Sequence, residues 1–93
     1  MAAPDQDKPE RWSGRSSDGQ LSYELIPCEA GVLLERTVVR PSGRLIHSLL
    51  LRNKAAFIAW CEADEARFTH PLLFSEMRRR CSQELERASD RSA

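Results

Sequence analysis

The sequence predicts a small α+β domain, in which a three-stranded antiparallel β-meander is followed by two α-helices. Three observations lead to this prediction. Residues 21–25 alternate apolar and polar side chains with the period of a half-buried strand. Two runs rich in β-branched and aliphatic residues, 32–40 and 44–52, follow after short turns. From residue 54 onward good helix formers dominate, with an interruption at Pro71.

The three predicted strands are joined by turns too short for anything but antiparallel pairing. The first strand begins at Leu21 and ends at Pro27, and the turn at residues 41–43 closes the second hairpin. If Arg40 pairs with Arg44, both faces of that hairpin are substantially apolar. A sheet with one solvated face normally alternates apolar and polar residues cleanly. We therefore expect both faces of the sheet to be covered at least in part.

Two helices are predicted after the sheet. Asn53 is a natural N-cap for a helix over residues 54–68, and proline disfavours the helical conformation of the residue before it. Pro71 fits the first turn of a second helix over residues 71–89. The first helix carries acidic residues near its C-terminal end, where a negative charge is not stabilised by the helix dipole. Their position suggests either another partner or no partner for this acidic group: Glu62, Asp64 and Glu65.

The chain divides into a predicted disordered tail, residues 1–20, and a single α+β domain, residues 21–90. The tail is rich in Pro, Asp, Ser and Gly, and Trp12 is its only large apolar residue. No apolar run approaches the length of a membrane span, and the first residues lack the apolar core of a signal peptide. The number of cysteines, three, is odd, and no two of them are spaced as a CxxC pair. We expect a cytoplasmic protein without membrane association.

Self-association is predicted from the surplus of apolar surface. About 70 ordered residues seldom bury enough apolar area for more than about 3–5 kcal/mol of stability. Two apolar sheet faces would be left with few partners, and the second helix adds a narrow apolar seam of heptad type. We therefore predict a homodimer whose interface is either this seam or a sheet face, and the seam consists of Phe74, Met77, Cys81 and Leu85.

The alternative hypothesis is a nucleic-acid-associated regulator that contacts phosphates through basic residues of the second hairpin. In the predicted register Arg36, Arg40 and Arg44 share one face, and Arg52 and Lys54 follow. Against this hypothesis, residues 21–54 also hold three acidic residues beside the five basic ones. The whole chain is balanced at 14 basic and 14 acidic residues, whereas DNA-binding domains are more often strongly basic.

No catalytic or cofactor signature is visible in the sequence. There is no GxSxG, no P-loop and no local spacing of His and Cys that would hold zinc, so no metal and no cofactor are predicted. His47, expected opposite Thr37, fits a hydrogen-bonded residue at the rim of the core better than a catalytic base. We therefore expect a non-catalytic interaction module that binds protein and forms a homodimer, with nucleic-acid binding as the alternative.

Overall fold

The structure, a computed structural model, describes residues 11–92. Its four strands form one antiparallel sheet in the order β1-β2-β3-β4, and helices follow the sheet along the chain. The α+β class is confirmed, but the sheet has one strand more than the three predicted. The elements are β1 (Trp12–Arg15), β2 (Leu21–Cys28), β3 (Gly31–Arg40), β4 (Gly43–Leu51), α1 (Lys54–Ala63), α2 (Ala66–Thr69) and α3 (Pro71–Ser92).

The additional strand, β1, comes from the segment that was predicted to be a disordered tail. It pairs with β2, with Trp12 opposite Leu25, and the Trp12 indole packs against the core. Four residues carry too short a pattern to indicate a strand by themselves, and β1 exists because β2 offers it a partner edge. The prediction of disorder was therefore wrong for residues 12–15, whereas residues 1–10 lie outside the described residues.

The β3–β4 hairpin is shifted by one residue from the predicted register. Arg40 pairs with Gly43 rather than with Arg44, so the loop contains only two residues. Gly43 has a φ of +135°, a conformation that favours glycine. As a consequence His47 lies opposite Arg36 and not opposite Thr37. Because side chains alternate between faces, this single step moves every β4 side chain to the other face relative to β3.

All helices lie on one face of the sheet, and the core fills the space between the two layers. The strand residues of the core share this face by register, and the helices contribute one apolar side each. Within the described residues the opposite face, called the outer face below, has no layer on it, so these residues do not supply the expected cover on both faces. The core consists of Leu21, Tyr23, Leu25, Val32, Leu34, Leu51, Phe57, Cys61, Ala66, Phe74, Met77, Cys81 and Leu85.

The first predicted helix is divided into two. Its N-cap is confirmed, since the Asn53 side chain accepts a hydrogen bond from the amide of Ala56 at 2.8 Å. The helix ends at Asp64, whose extended backbone (φ −82°, ψ 123°) separates α1 from the short α2. Helix α3 begins at Pro71 as predicted. The described residues therefore form three helices, and the break between the first two is explained by the contacts of the Asp64 side chain.

The four residues predicted as a dimer interface lie in the core of the single chain. None of them is more than 5% exposed, and α3 packs them against the sheet and α1. The heptad-type seam was correctly placed on one side of the helix, but its partner is the sheet of the same chain. Any self-association has to use other surface than Phe74, Met77, Cys81 and Leu85.

Replacement of Leu85 tests this location. We expect Leu85→Asp to lower the free energy of unfolding by at least about 3 kcal/mol, because it places an unpaired charge in the core. Gln83→Asp is the matched control, since Gln83 is exposed on the same helix. Urea denaturation followed by circular dichroism measures both. A folded Leu85→Asp variant with the midpoint of the parent protein would contradict the placement of α3.

Candidate functional site

A buried cluster of three polar side chains connects the sheet to the helices. The Asp64 carboxylate lies 3.0 Å from the Arg36 guanidinium and accepts a hydrogen bond from the Tyr23 hydroxyl at 2.8 Å. It also accepts the amide hydrogen of Ala66 at 3.2 Å. Tyr23 and Arg36 are cross-strand neighbours on β2 and β3, so the sheet presents both donors side by side. Asp64 lies at the C-terminal cap of α1 with an extended backbone, and its side chain contacts both donors.

The geometry of this cluster suits a structural anchor rather than an acid–base pair. Burial and the hydrogen bond to Asp64 raise the pKa of Tyr23 well above its usual value, so the phenol remains a neutral donor. The Trp60 ring packs edge-on against the Tyr23 ring, with 6.4 Å between the ring centroids. Arg36 Nε is buried without a hydrogen-bond partner among the described residues. Asp64, one of the acidic residues near the end of the first predicted helix, is therefore paired with Arg36 and Tyr23.

A second polar cluster joins the β1–β2 turn to the start of α3. Asp18 accepts hydrogen bonds from the Ser16 hydroxyl and the Gln20 amide, and its other oxygen lies 3.1 Å from His70 Nε2. These contacts, the hydrogen bond from Ser16 above all, lower the pKa of Asp18 to about 2. The carboxylate stands between the hydroxyl and the imidazole, whereas nucleophilic catalysis needs the base to contact the hydroxyl directly. The cluster therefore holds the turn in place, and the Ser16 hydroxyl contacts Asp18 and not His70.

The three cysteines have different surroundings. Cys61 and Cys81 are buried in the core, and Cys28 is exposed at the end of β2. Burial raises the pKa of the Cys61 thiol to about 11 and that of Cys81 to about 12. Both buried thiols are therefore held in the protonated, weakly nucleophilic form at neutral pH. Their role is that of small apolar side chains.

The five basic residues of the nucleic-acid hypothesis are not brought together. Arg36 is paired with Asp64, and Lys54 lies 2.8 Å from Glu86. Arg40 shares the face of Arg36, whereas Arg44 pairs with Val39 and lies on the outer face. The predicted shared face depended on the wrong register. Nucleic-acid binding itself stays a prediction, and the exposed residues that could serve it are Arg40, Arg44 and Arg52.

The outer face combines apolar and charged side chains in rows that run across the strands. Ile26, Leu33 and Leu50 form an apolar row at one end, and the adjacent row holds Glu24 and Glu35. Toward the hairpin loop lie Arg15 and Arg44 together with further apolar side chains. Three apolar residues of this face are substantially exposed: Val39 at 42%, Ile46 at 57% and Leu50 at 37%.

Two carboxylates stand directly opposite each other in the middle of the outer face. Glu24 pairs with Glu35 across β2 and β3, and like charges at this spacing destabilise a sheet. Arg11, 3.4 Å from Glu24, is an exposed and therefore weak partner. The two carboxylates line a depression of about 370 Å³ together with Ser13 and Arg15. Sequence reasoning missed this group because it derived no register between β2 and β3 and did not predict β1, which carries Ser13 and Arg15.

Comparison with known proteins gives no relative for the chain. No protein-family model matches it, and neither the curated proteins nor the solved structures yield a significant match. Over the part of the chain that the structure covers, no three His, Cys, Asp or Glu residues are grouped in a way that could hold a metal ion. In the same part, no helix is both long and apolar enough to cross a membrane. The function has to be argued from the surface itself.

The buried anchor can be tested by removing its acid. Asp64→Ala should lower the free energy of unfolding by about 3–5 kcal/mol, because it leaves the Arg36 guanidinium without its counter-ion. Glu65→Ala, at the exposed neighbouring position, is the control and should have little effect. Chemical denaturation measures both variants. Equal midpoints for the two variants would show that the contacts of Asp64 with Arg36 and Tyr23 do not stabilise the fold.

The thiol environments predict a labelling pattern. In native protein at neutral pH one equivalent of thiol reagent should react quickly, at Cys28, and two more only after the chain is unfolded. Time-resolved labelling with mass spectrometry identifies the sites. Rapid native labelling of Cys61 or Cys81 would contradict their place in the core.

Proposed function

We propose that this protein is a non-catalytic interaction module that forms a homodimer by packing the outer faces of two sheets together. The proposal rests on one observation: in the single chain the outer face exposes Val39, Ile46 and Leu50 beside a destabilising pair of opposed carboxylates. Contiguous exposed apolar surface on a small domain marks a site of interaction. Covering it also adds the burial that a chain of this size lacks.

The pattern of the outer face is self-complementary. In a symmetric dimer the same patch of surface contacts itself after a two-fold rotation. If the axis runs across the strands, the apolar row that contains Leu33 faces the end of the sheet that contains Val39 in the other copy. Each β3 strand then lies over its counterpart, antiparallel, and two sheets pack at about 10 Å in the manner of a β-sandwich. The result is a four-layer arrangement with helices on both outsides.

The same rotation brings Arg15 of one copy within one strand of Glu24 of the other, because Arg15 then lies over Ser13, the neighbour of Glu24. The row with Glu24 and Glu35 lies over the row that begins with Arg15 in the other copy, because these two rows are neighbours along the strands. A rotation about an axis parallel to the strands would instead place the acidic row over itself, which like-charge repulsion disfavours. Charge thus selects one orientation of the dimer.

Val39 provides the test of this interface. Light scattering at micromolar concentration should give about twice the chain mass of 10.6 kDa. Val39→Glu should shift the protein to monomer, because the new carboxylate would be buried against Leu33 of the other copy. The folded monomer should tolerate the change, since Val39 is exposed and lies opposite Arg44.

Ile58→Glu is the matched control, because Ile58 is exposed to a similar extent (45%) but lies on α1, in the helical layer. It should leave the dimer intact. A parent protein that remains a 10.6 kDa monomer at high concentration would overturn the proposal. A dimer that survives Val39→Glu but dissociates with Ile58→Glu would place the interface on the helices instead.

A further inference from the structure

Strand β4 is an unprotected edge of the sheet. It is nine residues long, and within the described residues no strand pairs with its free side. Natural edge strands are usually protected by shortness, by proline, by lysine or by a bulge. The other edge, β1, is only four residues long, whereas β4 contains no proline and no lysine. An edge of this kind can hydrogen-bond an additional strand.

The hydrogen-bonding groups on this free side can be assigned. The amide of Val39 donates to the carbonyl of Gln20 at 2.8 Å, so the odd-numbered residues of β3 bond toward β2. The even-numbered residues of β3 therefore bond toward β4, where they pair with odd-numbered partners such as Leu45 and Leu49. The N–H and C=O groups of the four alternate residues point away from the sheet: Arg44, Ile46, Ser48 and Leu50.

The charge along this edge has one sign. Arg44 lies at the start of β4 and Arg52 follows its end, and β4 itself contains no acidic residue. If two copies paired symmetrically through β4, the antiparallel arrangement would bring Arg44 of each copy near Arg52 of the other. Like charges then oppose self-pairing. The edge is complementary to a strand that carries negative charges at its ends.

Side chains next to the edge define the middle of such a strand. Ile46 and Leu50 flank the edge on the outer face and Leu45 flanks it on the other, and all three are exposed. Cross-strand apolar neighbours would bury these side chains. We propose that β4 binds an extended peptide, apolar in its centre and acidic at both ends, as a fifth strand of the sheet. Main-chain hydrogen bonds supply affinity in this mode of recognition, and the flanking side chains supply specificity.

The test uses the full chain and a fluorescent peptide of alternating valine and threonine with a glutamate at each end. Anisotropy titration should show saturable binding. The same peptide with a lysine at each end should bind on the order of tenfold more weakly, because attraction at both ends becomes repulsion. Equal binding of the two peptides, or binding of neither, would overturn the proposal. Binding of a single-stranded oligonucleotide but not of the peptide would also overturn it, in favour of phosphate recognition.

A pair of variants at Ser48 separates backbone pairing from side-chain effects. Ser48→Pro removes the outward N–H and should weaken peptide binding by about tenfold or more. Ser48→Ala removes the hydroxyl but keeps the N–H, and should bind as the parent protein does. Equal affinity of the two folded variants would contradict strand addition. Circular dichroism shows whether each variant is folded. If Ser48→Pro is unfolded, two peptides replace it, each N-methylated on one of the two alternate sets of residues. Only the peptide whose methylated amides would face β4 should lose binding.

The edge and the proposed dimer interface share Ile46 and Leu50, so a variant has to separate the two proposals. Val39 lies on an interior strand, so Val39→Glu should abolish the dimer in light scattering and still allow the peptide to bind, weakened only as far as the new carboxylate neutralises the charge of Arg44 opposite it. Loss of peptide binding together with the dimer would show that the edge does not act alone, and would overturn the proposal in this form.

Discussion

The contact of Asp64 with Arg36 and Tyr23 is the constraint on which the rest of the structure depends. A buried ion pair loses the hydration of both partners, and it becomes favourable only when further hydrogen bonds complete it. Asp64 receives three donors, from Arg36, Tyr23 and the Ala66 amide. To reach them it must leave the helix, and this sets the end of α1. The direction in which α3 then returns across the sheet follows from that break.

The parts of the fold that the sequence predicts are those encoded by neighbouring residues. The strands β2 to β4, the Asn53 cap and the start of α3 at Pro71 all depend on local patterns of polarity, turn formation or capping. The break at Asp64 depends on Arg36 and Tyr23, which lie far away along the chain. Strand β1 depends on the edge of β2. Neither has a local signal, so helix formers predicted one continuous helix and a polar composition predicted a tail.

The surface was less predictable than the fold because it depends on register. A shift of one residue in the β3–β4 hairpin exchanges the faces of all β4 side chains relative to β3. The predicted pairing placed Arg36 and Arg44 on the same face, whereas the two-residue loop separates them. Similarly, the α3 seam could be found from its spacing, but spacing does not say whether a helix packs on a sheet or on a second copy. Both questions are decided by long-range packing.

The helices take up the apolar side chains of one sheet face and leave two surfaces with different character. The outer face carries both signs of charge in neighbouring rows, so a rotated copy of the same face would be complementary to it. The free edge of β4 carries only positive charge. A second copy of this edge would repel it, whereas an acidic strand would be complementary to it. A small domain with a thin core gains stability from covering either surface. In the two proposals the chain binds itself through the face and a different partner through the edge, and Ile46 and Leu50 belong to both surfaces.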